Sequence, residues 1–164
     1  MGEVVFARVD ERLIHGQIMT AIAPSSGANL ILLVDDAAAK DTFMKGIHEA
    51  TGSSKGMKAR VLSNSEAIKH WEKNQFGKNK VLLITQTIEG MHELIKAGVK
   101  VDKLNVGGKS QKPDTVSIIN EVSITQEEFD RLKDLHEHHS VEIYVQALPN
   151  MKRVDYKNVV DKFN

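Results

Sequence analysis

The chain of 164 residues has the length of one ordinary domain, and its apolar fraction of 41% is enough for a hydrophobic core. Its 22 basic and 22 acidic side chains cancel, which argues against nucleic acid as a partner, since nucleic-acid binders carry a basic excess. The lack of cysteine excludes disulfides, thiolate metal sites and cysteine nucleophiles. No apolar run reaches membrane-spanning length and no signal peptide is recognisable, so we expect a cytoplasmic globular protein.

The predicted strands are continuous apolar runs rather than alternations of apolar and polar residues. Such runs are typical of parallel strands that helices cover on both faces. The clearest runs are Val4–Ala7, Leu30–Val34 and Val81–Ile84, and weaker ones are Ala59–Leu62, Lys103–Val106, Ser117–Ile119 and Val141–Val145.

Helical spacing of apolar residues fills the intervals between these strands. Helices are predicted over 37–50, from Ser63, from Ile88, from Thr125 and, as a short helix or a frayed tail, over 155–163. Ser63 and Thr125 are each followed three residues later by a glutamate, which is the spacing of a capping box. A loop rich in glycine and serine is predicted over 51–56. The alternation of predicted strands and helices along the chain indicates a single α/β domain over residues 1–164, with an open, mostly parallel β-sheet covered by helices on both faces.

The stretch from Arg8 to Gln17 follows the first predicted strand and is the strongest candidate for a site. Two arginines, two acids and a histidine lie within its first eight positions. A neutral imidazole is a nucleophile, and guanidinium groups bind phosphate oxygens in pairs. Gly16 follows His15 at a predicted helix start, where free N–H groups favour an anion and glycine permits close approach. We therefore interpret His15 as a phosphoryl carrier, with Arg8 and Arg12 holding the phosphoryl group.

Other residues are predicted to share the edge of the sheet on which this loop lies. In open α/β sheets, ligands bind beyond the carboxyl ends of the strands. Asp35 follows the second predicted strand, and Gly107 and Gly108 follow a later one. Either Asp10 or Asp35 would orient the imidazole or fix an arginine, and spacing leaves both open. A solvated salt-bridge cluster without function is the simpler alternative for the charged residues.

The run Arg8-Val9-Asp10-Glu11-Arg12-Leu13-Ile14-His15-Gly16-Gln17-Ile18 resembles the signature of one known protein family. This family comprises the IIB components of the mannose/fructose/sorbose family of the bacterial phosphoenolpyruvate-dependent sugar phosphotransferase system. Val34-Asp35-Asp36, Asn105-Val106-Gly107-Gly108 and Val122-Ser123-Ile124 support the resemblance. The chain departs from the expected pattern at Lys109, where an apolar residue is expected, and in lacking a tryptophan shortly after Gln17.

The resemblance implies a free-standing IIB domain that acts as a cytoplasmic phosphocarrier. His15 would accept phosphate from a phospho-IIA protein or domain and pass it to a sugar imported by membrane IIC and IID partners. Arg8 and Arg12 fall at active-loop positions, with Asp10, Gly16 and Gln17 in support. The chain would be a phosphohistidine–sugar phosphotransferase component that needs no metal or cofactor and reaches the membrane through its partners. The sugar (mannose, fructose, sorbose or N-acetylgalactosamine), the phosphorylated ring nitrogen and a homodimer are left open.

A regulatory binding module is the alternative from a different functional class. It would use the Arg8 and Arg12 loop to bind an anionic ligand or a phosphoprotein, and it would tolerate the loss of His15. Two other patterns are weaker. The segment 107–110 lacks the earlier glycine of a nucleotide-binding P-loop. His136, His138 and His139 do not have the spacing of metal ligands on one helix face, and His48, His70 and His92 are predicted to be surface residues.

Overall fold

The computed structural model describes residues 1–54 and 56–164, which form nine strands and eight helical segments. The strands are β1 (Glu3–Asp10), β2 (Leu30–Val34), β3 (Lys58–Leu62), β4 (Lys80–Thr85), β5 (Lys103–Gly108), β6 (Val116–Ile119), β7 (Val122–Ile124), β8 (Glu142–Val145) and β9 (Val154–Asp155). The helices are a π-helical segment (Ile18–Ile22), α1 (Ala23–Ser26), α2 (Asp36–Lys40), α3 (Thr42–Gly52), α4 (Asn64–Asn74), α5 (Ile88–Lys96), α6 (Gln126–His138) and α7 (Tyr156–Phe163).

Seven of the strands form one sheet in the order β3-β2-β4-β1-β5-β8-β9. All of its pairings are parallel except that of β9 with β8, and β6 and β7 form a separate antiparallel pair. β1 lies between β4 and β5, so the loop that leaves its carboxyl end begins near the middle of the sheet edge. The predicted open, mostly parallel sheet is confirmed.

Apolar residues pack on both faces of this sheet. One cluster brings Ala67 of α4, Met91 of α5 and Leu132 of α6 against the strands. The other cluster brings Ile14, Ile18, Ile22 and Ala38 against the opposite face of β2, β3 and β4. The continuous apolar runs of the central strands are explained by this double coverage, which removes apolar surface from water on both sides.

Two local predictions about helix boundaries have different outcomes. Both capping boxes form, with Ser63 and Thr125 each bonded to the glutamate three residues on. The prediction of a single helix over 37–50 is wrong, because the helix is interrupted at Asp41. The Asp41 carboxylate accepts hydrogen bonds from the backbone N–H groups of Phe43 and Met44, each at 3.1 Å, and so begins a new helix, α3.

The inward face of α3 also differs from the predicted apolar stripe. Phe43 is 74% exposed and Ile47 is 42% exposed, whereas His48 and Gly52 are buried. The prediction that His48 is a surface residue was therefore wrong. A side chain at position 52 would collide with Ala59, so the small glycine permits α3 to approach the sheet.

The carboxyl-terminal segment forms α7, which resolves the alternative between a helix and a frayed tail. The ring of Phe163 stacks on Phe129 with centroids 4.4 Å apart, and this contact joins α7 to α6. The predicted loop over 51–56 includes position 55, which lies outside the described residues. No helix in the described part of the chain is both long and apolar enough to span a membrane.

Candidate active site

The candidate site is the loop that leaves β1 after Asp10. The loop turns back at once, since the N–H of Leu13 donates to the carbonyl of Asp10 at 3.0 Å. Leu13 adopts a left-handed conformation with φ of 63°, which is uncommon for a residue with a branched side chain. Leu13 and Ile14 are buried in the cluster on the α3 side of the sheet. This pair anchors the loop, while Arg12 and His15 stay partly exposed.

The carboxylate of Asp10 is the centre of the site and is completely buried. Its Oδ2 atom accepts hydrogen bonds from Arg8 Nη2 at 3.0 Å and Arg12 Nη2 at 3.1 Å, and it lies 3.2 Å from His15 Nε2. Its Oδ1 atom accepts from the backbone N–H of Arg12 at 2.9 Å. Burial opposes ionisation, but hydrogen bonds from His15 and Arg12 and the charge of Arg8 outweigh it and hold the pKa of Asp10 far below its usual value. Asp10 is therefore an anion.

Arg8 lies beneath the site rather than at its surface, with a side chain that is 1% exposed. Besides Asp10, its guanidinium donates to Asn105 Oδ1 at 2.6 Å and to the carbonyl of Ala147 at 2.8 Å. Burial lowers the pKa of Arg8, and the neighbouring Asp10 partly restores it. The guanidinium has no exposed face for an anion. Its position does not fit the prediction that Arg8 holds a phosphoryl group and fits a residue that fixes Asp10.

Gly107 and Gly108 are required by the packing beneath the loop. A side chain at Gly107 would overlap the guanidinium of Arg8, and a Cβ atom at Gly108 would lie 2.6 Å from Asp10 Oδ1. The carbonyl of Gly108 also accepts a hydrogen bond from the N–H of Glu11 at 3.0 Å. The end of β5 therefore shapes the loop through close backbone approach.

Arg12 is the arginine that reaches the surface, with a side chain that is 47% exposed. One edge of its guanidinium pairs with Asp10, and its Nη1 donates to Gln17 Oε1 at 2.9 Å. Gln17 therefore holds the outer part of Arg12. An exposed arginine that a carboxylate anchors at one edge and only a neutral amide oxygen holds at the other is suited to bind an arriving anion.

The imidazole of His15 is 19% exposed and rests on Asp10 through Nε2. We assign the ring proton to Nε2, because the oxygen facing it belongs to an ionised carboxylate. Nδ1 makes no hydrogen bond with the described residues, and in the neutral ring with its proton on Nε2 it carries the free lone pair. The first N–H groups of the following helix, those of Gly16 and Gln17, also make no backbone hydrogen bond in the described part of the chain. Such groups favour a nearby anion.

The alternative between Asp10 and Asp35 is decided by their contacts. The carboxylate of Asp35 accepts a hydrogen bond from the N–H of Ala38 at 2.9 Å and caps α2. Of these two carboxylates, Asp10 is the one within hydrogen-bond distance of the imidazole. Lys109, the position that departs from the expected pattern, forms a salt bridge of 3.0 Å with Glu128 and ties the end of β5 to the first turn of α6.

Sequence reasoning missed the roles of Asn105 and the Ala147 carbonyl as partners of Arg8. Asn105 carried a usable signal, since it is a polar residue inside an apolar strand, two positions before Gly107. The contribution of Ala147 had no such signal, because a backbone carbonyl leaves no mark in a sequence. Gly16 has open space around it, so close packing does not account for it.

In this fold, an acid, an arginine and a histidine meet in one loop at the edge of an open, mostly parallel sheet. This fold and this site are those of a candidate phosphoryl-transfer protein. Residues 4–164 match the family described as the PTS system sorbose subfamily IIB component. The chain belongs to this family of sugar phosphotransferase-system components, as the resemblance of its first loop implied.

Individual relatives agree with this assignment. The chain is 30% identical over 163 residues to the N-acetylgalactosamine-specific phosphotransferase enzyme IIB component 2 of Escherichia coli K12, covering 94% of this chain and 97% of that protein. It is 27% identical to the mannose-specific EIIAB component of the same organism, but it spans only 49% of that longer protein. The crystal structure of manxB from Thermoanaerobacter tengcongensis matches with a TM-score of 0.91 and 32% identity over 99% of this chain and 98% of that one.

Proposed function

We propose that this chain is a cytoplasmic phosphocarrier that bears a phosphoryl group on Nδ1 of His15. The supporting observation is the 3.2 Å contact between His15 Nε2 and the buried carboxylate of Asp10. This contact occupies Nε2 and leaves Nδ1 without a hydrogen bond to the described residues, so that the neutral ring can attack phosphorus through Nδ1. A carrier also has to meet two partners in turn, and a partly exposed histidine on a surface loop is suited to this.

In the proposed reaction, the phosphoryl group leaves a phosphohistidine of a donor protein, the IIA component. The donor N–P bond breaks as a bond forms between phosphorus and His15 Nδ1, and the donor nitrogen keeps the electron pair of the broken bond. The imidazole of His15 becomes positive as it is phosphorylated. The adjacent Asp10 anion stabilises this charge without itself taking a proton.

Arg12 is the residue we propose to contact the phosphoryl oxygens, together with the N–H groups of Gly16 and Gln17. Its Nη1 atom would exchange the neutral amide oxygen of Gln17 for a charged phosphoryl oxygen, which is a stronger acceptor. Arg8 keeps Asp10 in place from below. Catalysis in this arrangement rests on positioning and charge stabilisation.

In the second step, the bond between phosphorus and His15 Nδ1 breaks as phosphorus bonds to a hydroxyl oxygen of a sugar presented by the membrane partners IIC and IID. Nδ1 keeps the electron pair of the broken bond, and the hydroxyl proton is released. The name of the E. coli K12 relative assigns N-acetylgalactosamine to that protein, and the name of the longer relative assigns mannose. We propose a hexose or an N-acetylhexosamine as the acceptor for this chain, with residues 1–164 acting as one domain.

The test incubates the chain with labelled phosphoenolpyruvate, the general phosphotransferase proteins and a IIA donor. We expect acid-labile, base-stable label at His15, with nuclear magnetic resonance placing phosphorus on Nδ1. His15→Ala abolishes the label, and the matched control His138→Ala, at a histidine that is 68% exposed, keeps it. Label on the His15→Ala protein would refute the assignment. Binding of the phosphoprotein without transfer, unaffected by His15→Ala, would support the regulatory binding module instead.

A further inference from the structure

A cavity lies at the β3 edge of the sheet, away from the candidate active site. This cavity, the β3 crevice, has a volume of 240 Å³. Its floor is apolar and is formed by Leu30, Leu32, Leu62 and Phe76, each less than 8% exposed. β2 and β4 separate β3 from β1, which carries the active loop.

The crevice lies beside the edge strand β3, at the carboxyl-terminal end of α4. The chain leaves α4 through Gln75 and Phe76, which both have positive φ, and Phe76 is turned inward to 5% exposure. Arg60 of β3 is paired in register with Leu32 of β2. The side chains of Arg60 and Leu32 therefore lie on the same face of the sheet, and both line the crevice.

The polar part of the crevice is basic. Arg60, His70 and Lys73 line it, and no aspartate or glutamate is among its described lining residues. Arg60 and Lys73 form no salt bridge with any described residue, so no described carboxylate neutralises them. The negative end of the α4 dipole accounts for a cation at Lys73 but not for Arg60, which comes from a strand.

We propose that the β3 crevice binds a small amphipathic anion, with a phosphate or carboxylate head and a planar or apolar body. Arg60 and Lys73 bind the head, since a guanidinium fork and an ammonium both match its oxygens. The body covers the leucines and Phe76 and removes their remaining apolar surface from water. The volume lies below the usual range for drug-sized ligands, which favours a body of one ring.

This ligand is distinct from the transferred phosphoryl group, because the crevice lies away from His15. Leu30, Gly77 and Asn79 of the lining lie near the amino ends of β2 and β4, whereas His15 follows the carboxyl end of β1. The inference is independent of the proposed function, because it concerns other residues and is tested by binding alone.

The test titrates the full chain with phenyl phosphate and, separately, with benzoate, while amide resonances are followed by nuclear magnetic resonance. We expect saturable shifts at Leu32, Arg60, Phe76 and Gly77 with at least one of the two anions. The double variant Arg60→Ala/Lys73→Ala weakens this binding by about tenfold or more, which corresponds to the loss of charge-assisted hydrogen bonds. The matched control Lys133→Ala, on α6, binds as the unchanged protein does.

Inorganic phosphate, benzyl alcohol and anionic vesicles are three probes that distinguish this site from nonspecific binding of anions, apolar molecules or membranes. Inorganic phosphate and benzyl alcohol each lack one half of the ligand, and we expect both to bind more weakly than phenyl phosphate. Equal affinity for inorganic phosphate, or shifts centred on Arg12 and His15 alone, would overturn the proposal. It would also fail if the double variant bound normally, or if the chain bound anionic vesicles through these residues without binding either small anion. The double variant keeps its ability to take up phosphate at His15.

Discussion

Nε2 of His15 lies 3.2 Å from Oδ2 of Asp10, a carboxylate oxygen that is wholly buried and also accepts hydrogen bonds from Arg8 and Arg12. One anion beneath the loop therefore fixes the imidazole that we propose to be phosphorylated and the arginine that we propose to hold the phosphoryl group. Arg8, which is fully enclosed, balances the charge of this anion from below.

Asp10→Asn should destabilise the protein strongly, by about 3–5 kcal/mol in the free energy of unfolding. The reason is that the change leaves the buried guanidinium of Arg8 without its anion. Urea denaturation measures this. Asp35→Asn is the matched control, and we expect less than about 1 kcal/mol, since asparagine caps a helix as well as aspartate does. Equal losses in the two variants would show that Asp10 has no special place.

The stability that Asp10 contributes should depend on pH in a defined direction. Its pKa is lowered by folding, so the unfolded chain takes up the proton first as the solution is acidified. The contribution is fully present above the unfolded value of about 3.9 and is lost as the pH falls below it. We expect the difference in free energy of unfolding between the unchanged protein and Asp10→Asn to shrink as the pH falls below about 3.9. A difference that stays constant or grows on acidification would contradict this.

The two arginines should fail in different ways when they are replaced. Arg12→Ala should slow phosphoryl transfer by about a hundredfold, as loss of one charge-stabilising donor does, with little loss of stability because Arg12 is half-exposed. Arg8→Ala should mainly unfold the protein, because it removes the partner of a buried anion. Rapid-quench transfer assays and thermal unfolding on both variants make the comparison. Near-normal transfer in Arg12→Ala would exclude its phosphate role.

Replacing Gly108, beneath the loop, and Gly16, within the loop, should have different effects on the stability of the protein. Gly108→Ala places a Cβ atom 2.6 Å from Asp10 Oδ1, so we expect a loss of about 1–3 kcal/mol from overpacking and a displaced carboxylate. Gly16→Ala meets no atom within 4 Å and should leave stability nearly unchanged. Calorimetric melting of both variants tests the pair. Equal stability would show that the end of β5 moves freely to accommodate a side chain.

The alternation of strands and helices was predictable because it depends on local properties of the chain. Leu30–Val34 and Val81–Ile84 are too apolar for any place but a doubly covered sheet, and Ser63 and Thr125 cap helices through residues three positions away. Local reasoning failed over 37–50. There the apolar spacing is helical throughout, but the carboxylate of Asp41 forms bonds with N–H groups that a continuous helix would have used differently.

That two acids, two arginines and a histidine follow the first strand can be read from the sequence, because these residues are neighbours in one loop. The contacts that each of them makes come from the fold. Arg8 meets Asn105, 97 residues away, and the carbonyl of Ala147, 139 residues away, and these contacts enclose it. Asp10, and not Asp35, lies beside the imidazole of His15, whereas the carboxylate of Asp35 caps α2. The burial and the hydrogen-bond partners of a residue depend on which distant segments of the chain pack against it. The spacing of residues within one loop does not contain this information.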